Sequence, residues 1–285
     1  LNELNPDGTL RLDSQGLPIP TYNQTTISET AKVFTGWGYS QSYSTAPRFT
    51  NGAAQRPGNT YPDYLEPMRL FEANHEPGAK TIVGGRVLPA NQGGVKDLAD
   101  TLDALFHHPN TGPFISRQLI QRLVTSNPSP GYVYRVAQIF ANNGSGARGD
   151  LGAVVRAILL DYEARTLQAA GNLTYGKLKE PLLRTSALFR AFKATSNTKR
   201  LPINNSNGQI SQMAGSAPTV FNFFEPAYVQ PGPLAAAGLF APEFQIFTDT
   251  TAITVPNYFN TYLTTAKPTN LDSDTVFLDF TDALP

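Results

Sequence analysis

Apolar residues at helical spacing are concentrated in the middle of this sequence, and this limits the folds that the chain can adopt. In residues 95–106 the apolar positions follow one another at steps of three, four and three: Val95, Leu98, Leu102 and Leu105. Such steps place side chains on one face of a helix. Similar spacing recurs at residues 114–124, 131–141, 151–162 and 180–192. The pattern predicts a mainly α fold, a five-helix core wrapped by long irregular loops with at most short β-hairpins.

Turn-forming residues shape the rest of the chain. Glycine and proline number 23 each among 285 residues, which implies many turns and long irregular connections. We predict a loop-rich segment with aromatic anchors at 1–94, a helical core at 95–195, and a loop-rich C-terminal segment at 196–285 that packs back on the core. Further helices are expected at 26–34 and at 244–262, the second one interrupted at Pro256, and a small hairpin around residues 9–12.

The overall composition narrows the class of protein. There are 22 basic and 22 acidic side chains and no basic run, so we expect no nucleic-acid partner. No apolar segment approaches the roughly 18–20 residues of a membrane span, and the absence of cysteine excludes disulfides and thiolate chemistry. Low charge with abundant Thr, Asn, Ser and Tyr is typical of an exported bacterial protein (periplasmic, cell-surface or extracellular). Because the sequence starts at Leu1 rather than Met, we expect a processed or partial chain.

One short segment combines the side-chain types of acid–base chemistry. His75, Glu76 and Lys80 lie within six residues around a proline–glycine turn, so an imidazole, a carboxylate and an ammonium can converge. We treat these three as candidate catalytic residues, with Arg117 as a clamp for an anion or substrate. The alternative is that the same side chains form a salt-bridged turn that orders the loop.

Metal sites have no signature in this sequence. The histidines are His75, His107 and His108, and no H-E-x-x-H spacing occurs. Neighbouring residues on a helix point about 100° apart, so His107 and His108 do not easily share one ion. We therefore predict no metal ligands and assign no cofactor.

Aromatic residues in the N-terminal third suggest a second kind of site. They lie among Asn, Gln, Ser and Thr, at Trp37, Tyr39, Tyr43, Tyr61 and Tyr64. Exposed rings stack on neutral polymers such as sugars, and amides give direction to that binding. The alternative is that these rings anchor a long loop to the fold.

Seven segments resemble the bacterial domain of unknown function 1800 (DUF1800) family. The longest is HPNTGPFISRQLIQRLVTSNPSP at 108–130, and the others are FTGW at 34–37, HEPGAKT at 75–81, residues 143–151, AILLD at 157–161, GKLKEP at 176–181 and SAPTVFNFFEP at 216–226. The resemblance implies an exported bacterial protein and identifies this chain with the C-terminal portion of a member, since members have a further helical segment upstream. It also implies a genomic neighbour of the phosphatase- or sulfatase-like DUF1501 family, and it carries no catalytic residues over.

These observations lead to three hypotheses about function. The leading one is a non-catalytic exported protein that binds a partner chain or an extracellular polymer at the cell surface through its aromatic loops. The partner is a protein (its own missing N-terminal portion or a DUF1501-type neighbour) or a neutral polymer. The alternatives are an enzyme that acts on an extracellular polymer through His75, Glu76 and Lys80, and a subunit of an extracellular filament.

Overall fold

A computed structural model describes residues 1–39, 66–166, 174–203, 207–220 and 222–281. Within them the fold is mainly α, which confirms the predicted class. The helices are α1 (Gln24–Val33), α2 (Gly94–His107), α3 (Thr111–Leu123), α4 (Pro130–Ala141), α5 (Leu151–Leu160), α6 (Tyr162–Arg165), α7 (Pro181–Ala191), α8 (Asn207–Ile210), α9 (Pro233–Ala236) and α10 (Asp249–Thr264). Short 3-10 helices lie at Glu72–Asn74, Val83–Gly85 and Pro242–Ile246.

All five helices predicted in the middle of the chain are present, as α2 to α5 and α7. Local chemistry sets their ends. The fourth predicted helix stops early because Asp161 starts α6, its carboxylate accepting a hydrogen bond from the amide of Glu163 at 2.9 Å. The segment 244–262, expected to be one helix, consists of two elements, a 3-10 helix and α10. A 3-10 turn precedes Thr248, which caps α10, and α10 then continues through Pro256 instead of breaking there.

Strands are few and short in the described residues. β1 (Trp37–Gly38) pairs antiparallel with β2 (Arg69–Leu70), and β3 (Lys80–Thr81) pairs antiparallel with β4 (Val87–Leu88). The hairpin expected near the N-terminus consists of isolated bridges, among them Leu4 with Leu10. The expectation of at most short β-hairpins is therefore confirmed.

The chain divides into two compact units. The first comprises residues 1–117 and 130–154, and the second comprises residues 118–129 and 155–285. In the first unit a buried cluster of Val33, Ile82 and Leu88 packs with Leu98 and Ala104 of α2. In the second unit two apolar clusters are built around α7 and α10; their buried members are Phe189, Val276 and Leu278 in one and Ile210, Val255 and Tyr258 in the other. The three-part division drawn from the sequence stays a prediction.

Helix α2 buries only part of its apolar pattern. Its buried residues are Gly94, Asp97 and Thr101, which recur at helical spacing on one side. Val95 and Leu102, from the apolar stripe, are 63% and 55% exposed. An amphipathic helix usually turns its apolar stripe to the core. Here polar residues are buried as well, because Asp97 takes part in the ionic cluster described next.

Candidate functional site

The candidate site begins where the chain leaves α1. Gly36 has φ of +80°, in the left-handed region, and its carbonyl oxygen accepts a hydrogen bond from the Phe71 amide at 2.8 Å. A Cβ on Gly36 would lie 2.9 Å from the Phe71 carbonyl oxygen and 3.0 Å from the His75 amide nitrogen. Glycine alone permits this close approach, which brings His75 beside the end of α1.

His75 is held through both nitrogens of its ring. Nδ1 lies 2.9 Å from the carbonyl oxygen of Thr35, and Nε2 lies 2.9 Å from Oδ2 of Asp97. Carbonyl and carboxylate oxygens only accept hydrogen bonds, so the tautomer of the ring decides which of the two contacts uses an N–H of the imidazole. The side chain is 2% exposed. Both ring nitrogens thus lie against oxygen atoms of the fold, which disfavours their use as a base towards a substrate.

Asp97 is the centre of the cluster. Its Oδ2 accepts from His75 and lies 2.6 Å from Nζ of Lys80, and its Oδ1 accepts a hydrogen bond from Nε2 of Gln92 at 2.6 Å. Burial by itself would raise the pKa of Asp97. The hydrogen bonds from Lys80, His75 and Gln92 together outweigh burial and hold that pKa below its ordinary value. Asp97 is therefore a buried, ionised carboxylate.

Lys80 uses all of its donors. Besides the Asp97 carboxylate, its ammonium donates to the carbonyl oxygens of Glu76 at 2.6 Å and Gly78 at 2.9 Å. An ammonium has three N–H groups, and three acceptors surround this one. Lys80 thus closes the turn that contains Glu76 and ties it to α2 through the ion pair with Asp97, whereas the alternative to catalysis placed the salt bridge within the turn itself.

The Glu76 carboxylate does not join the other two predicted residues. Its Oε1 accepts a hydrogen bond from the amide of Gly78 at 3.2 Å, and the side chain is exposed. Asp97 occupies the place that the sequence pattern gave to Glu76. The pattern missed Asp97 because it lies 22 residues beyond His75 in the chain. A signal was present in the helix itself, since Asp97 and Thr101 share one side of α2 with Gly94.

A cavity of about 210 Å³ lies over this cluster, lined by Glu72, His75, Glu76, Pro77, Lys80, Asn91, Gln92, Gly93 and Asp97. Glu72 has a structural role at its edge. Its carboxylate accepts from the amide of Gly94 at 3.2 Å, and so caps the start of α2, where Gly93 offers no side chain. Gly94 is also tightly confined, because a Cβ there would lie 2.9 Å from Nδ1 of His75.

Of the predicted binding residues, those that the structure describes are not among the residues that line this cavity. Trp37 in β1 and Tyr39 are both half-buried, and Tyr43, Tyr61 and Tyr64 are outside the described residues. The proposed row of exposed aromatics therefore stays a prediction. Arg117 lies on α3, is half-buried, and has its pKa lowered by burial. The cavity lining does not include it.

Neither a cluster of metal ligands nor a membrane-spanning helix is present in the described ranges of the chain. These ranges contain no group of three or more His, Cys, Asp or Glu residues that could hold a metal ion. They also contain no helix that is both long enough and apolar enough to cross a membrane.

One surface of the first unit is apolar and open. On α2, roughly opposite the buried Asp97 side, an exposed row runs along the helix, here called the α2 surface: Val95, Ala99, Leu102 and Phe106. These positions recur at steps of four, three and four, so they form one continuous stripe. Large exposed apolar stripes are typical of protein–protein contact sites.

Comparison with known proteins identifies one family. Residues 9–282 match the family described as "Protein of unknown function (DUF1800)". The match covers nearly the whole chain, so the description of this chain as only the C-terminal portion of a family member is slightly inaccurate. No curated protein and no solved structure matches the chain. By the extent of the family match, this chain belongs to the DUF1800 family.

Proposed function

We propose that this protein is a non-catalytic, exported bacterial protein that binds another protein chain at the cell surface through the α2 surface. The observation that carries the proposal is the exposure of this stripe: Val95 is 63%, Leu102 55% and Phe106 40% exposed. Burying an apolar side chain of this size is worth about 1.5–3 kcal/mol. Because these side chains are already partly buried, a partner that covers the stripe would gain about half of that free energy from each of them.

The shape of the α2 surface suits a helix as partner. Val95 and Leu102 are seven residues apart, and the smaller Ala99 lies between them on the same side of the helix. Apolar residues of a partner helix, spaced by three and four, would fit beside such a ridge. Lys96 and Asp100, at the side of the stripe, already pair with each other at 2.5 Å. A partner helix would therefore be recognised by its apolar contacts with the stripe.

Export is the second part of the proposal. It is supported by the low content of charged residues, 15%, by the absence of cysteine and by the resemblance to exported family members. Fractionation of the native cells, with the protein detected in each compartment, tests it. Recovery of the full chain from the cytoplasm alone would overturn this part.

The enzyme hypothesis is favoured by one observation, the cavity that His75 and Glu76 help to line. For His75 to act as a base, one of its nitrogens would have to leave its acceptor, Thr35 or Asp97. The geometry therefore supports the ionic cluster better as the anchor of α2 than as a reaction centre. The filament hypothesis differs from the main proposal only in making the partner a second copy of this chain.

Site-specific photo-crosslinking in the native bacterium tests the α2 surface. A photoreactive amino acid replaces Leu102 in the full-length protein, and the matched control carries it at Lys96, an exposed polar position of the same helix. We expect one discrete adduct from position 102, none from 96, and loss of that adduct when Val95→Lys is added. The purified partner should then bind the wild-type protein and not Val95→Lys. Equal crosslinking at both positions would overturn the proposal, and an adduct of two identical chains would replace it with the filament hypothesis.

A further inference from the structure

Arg184, on α7 in the second unit, has two buried donors without an acceptor. Its Nε and Nη2 are both shielded from solvent, and neither has a hydrogen-bond partner among the described residues. The guanidinium carbon lies 5.7 Å from the centre of the Phe259 ring of α10. The residue as a whole is half-buried, so part of it is accessible to solvent although these two nitrogen atoms are not.

The two unused atoms belong to one edge of the guanidinium. The N–H bonds of Nε and Nη2 are nearly parallel, at a spacing that matches the two oxygens of a carboxylate. In Arg148, in the first unit, the same two nitrogen atoms have a hydrogen-bond acceptor within the chain. Its Nε and Nη2 both donate to the carbonyl oxygen of Phe106, at 3.1 and 3.0 Å. Arg184 presents that edge to no such acceptor in the described residues.

The acidic residue nearest to Arg184 along α7 is already engaged. Glu180, one helical turn earlier, accepts a hydrogen bond from Nε2 of Gln212 at 2.6 Å. Burial lowers the pKa of Arg184, and no acidic side chain in the described part of the chain offsets that effect. For Arg122, by contrast, Glu180 and Glu243 oppose the lowering of the pKa by burial. A buried cation without a counter-charge destabilises a fold unless an anion joins it.

We propose that Arg184 is a binding site for a carboxylate group, held in a two-pronged contact by Nε and Nη2 with the ring of Phe259 beside the guanidinium. The site lies on α7 and is argued independently of the α2 surface. The carboxylate belongs to a small acid or to an acidic side chain of a protein, and the chemistry of recognition is the same for both. A planar two-oxygen anion fits the edge of the guanidinium, whereas chloride offers no such pair of acceptors.

Nuclear magnetic resonance of the full chain tests the proposal directly. The arginine Nε–H signals are followed while sodium acetate replaces sodium chloride at constant ionic strength, and then with N-acetylglutamate α-amide, which presents its carboxylate as a protein side chain does. We expect one Nε–H signal, the one missing from Arg184→Lys, to shift and saturate. Tighter binding of the glutamate derivative would identify a protein carboxylate as the ligand, and equal binding would identify a small acid. The absence of any saturable shift would overturn the proposal.

A matched pair of variants separates specific binding from general salt effects. Arg184→Lys keeps the charge but loses the edge with two donors, and Arg190→Lys makes the same change at an exposed position of the same helix. Acetate should raise the melting temperature of the wild type and of Arg190→Lys, and not that of Arg184→Lys. Equal rises in all three proteins would overturn the proposal. A large loss of stability in Arg184→Lys, with no effect of acetate on the wild type, would also overturn the proposal. Arg184 would then already be paired within the chain.

Discussion

The ammonium of Lys80 lies 2.6 Å from Oδ2 of Asp97, and both side chains are 1% exposed. Removing one partner of such a buried pair leaves the other charge uncompensated, which costs about 3–5 kcal/mol. We therefore expect Lys80→Met to lower the free energy of unfolding by about this amount, measured by urea denaturation. Lys96→Met, which breaks an exposed pair with Asp100 on the same helix, should leave stability nearly unchanged. Similar losses in both variants would show that the Lys80 pair is not buried as described.

Acid should weaken the fold through Asp97 in a defined direction. Its pKa is lowered in the folded state from the ordinary value of 3.8, despite the opposing effect of burial, by hydrogen bonds from Lys80, His75 and Gln92. A carboxyl with a depressed folded pKa contributes stability that is complete above the unfolded pKa and is lost as the pH falls through the folded pKa.

The measurement compares the wild type with Asp97→Asn across pH. The difference in unfolding free energy between the two proteins should be constant above the unfolded pKa of 3.8 and should shrink steadily below it. Taking the difference removes the contribution of other carboxyl groups that titrate in the same range. A difference that stays constant down to the pH of acid unfolding would contradict the ionised, hydrogen-bonded state of Asp97.

The sequence was sufficient to predict helix α2 but not the side that it buries. Periodicity reports which residues share a face, and Val95 and Leu102 do share one. It does not report that Lys80, from a separate segment of the chain, brings a buried charge that Asp97 balances. The local turn from His75 to Lys80 was predictable for the opposite reason, since its residues are neighbours in sequence. The contact of His75 beside Gly36 and the cap that Glu72 provides at the start of α2 join residues from different segments. No local sequence pattern predicts such contacts.

Gly36 should tolerate no side chain, because its backbone conformation and its surroundings both exclude one. Its φ is +80°, and an added Cβ would lie 2.9 Å from the carbonyl oxygen of Phe71, a backbone atom that cannot easily move. We expect Gly36→Ala to lower the free energy of unfolding by about 3 kcal/mol. Gly16→Ala is the matched control, with φ of +79° and open space around it, and should cost about 1 kcal/mol. Equal losses would mean that the close approach beside His75 is absent.

Thr101 offers a stabilising substitution on the buried face of α2. The residue is 0% exposed, and its hydroxyl has no hydrogen-bond partner in the part of the chain that the structure describes. A buried unpaired hydroxyl keeps its desolvation cost, so replacing it with a methyl group of similar size removes that cost. Thr101→Val should raise the free energy of unfolding by about 1 kcal/mol.

A second buried threonine provides the contrast for this prediction. Thr185 of α7 is 1% exposed, but its hydroxyl donates a hydrogen bond to the carbonyl oxygen of Pro181 at 2.9 Å. Thr185→Val therefore breaks a made bond and should lower the free energy of unfolding by about 1 kcal/mol. The two substitutions are chemically identical, so opposite signs in urea denaturation would reflect hydrogen bonding alone. If Thr101→Val were as harmful as Thr185→Val, the polar face of α2 would hold a hydrogen bond to Thr101 in solution.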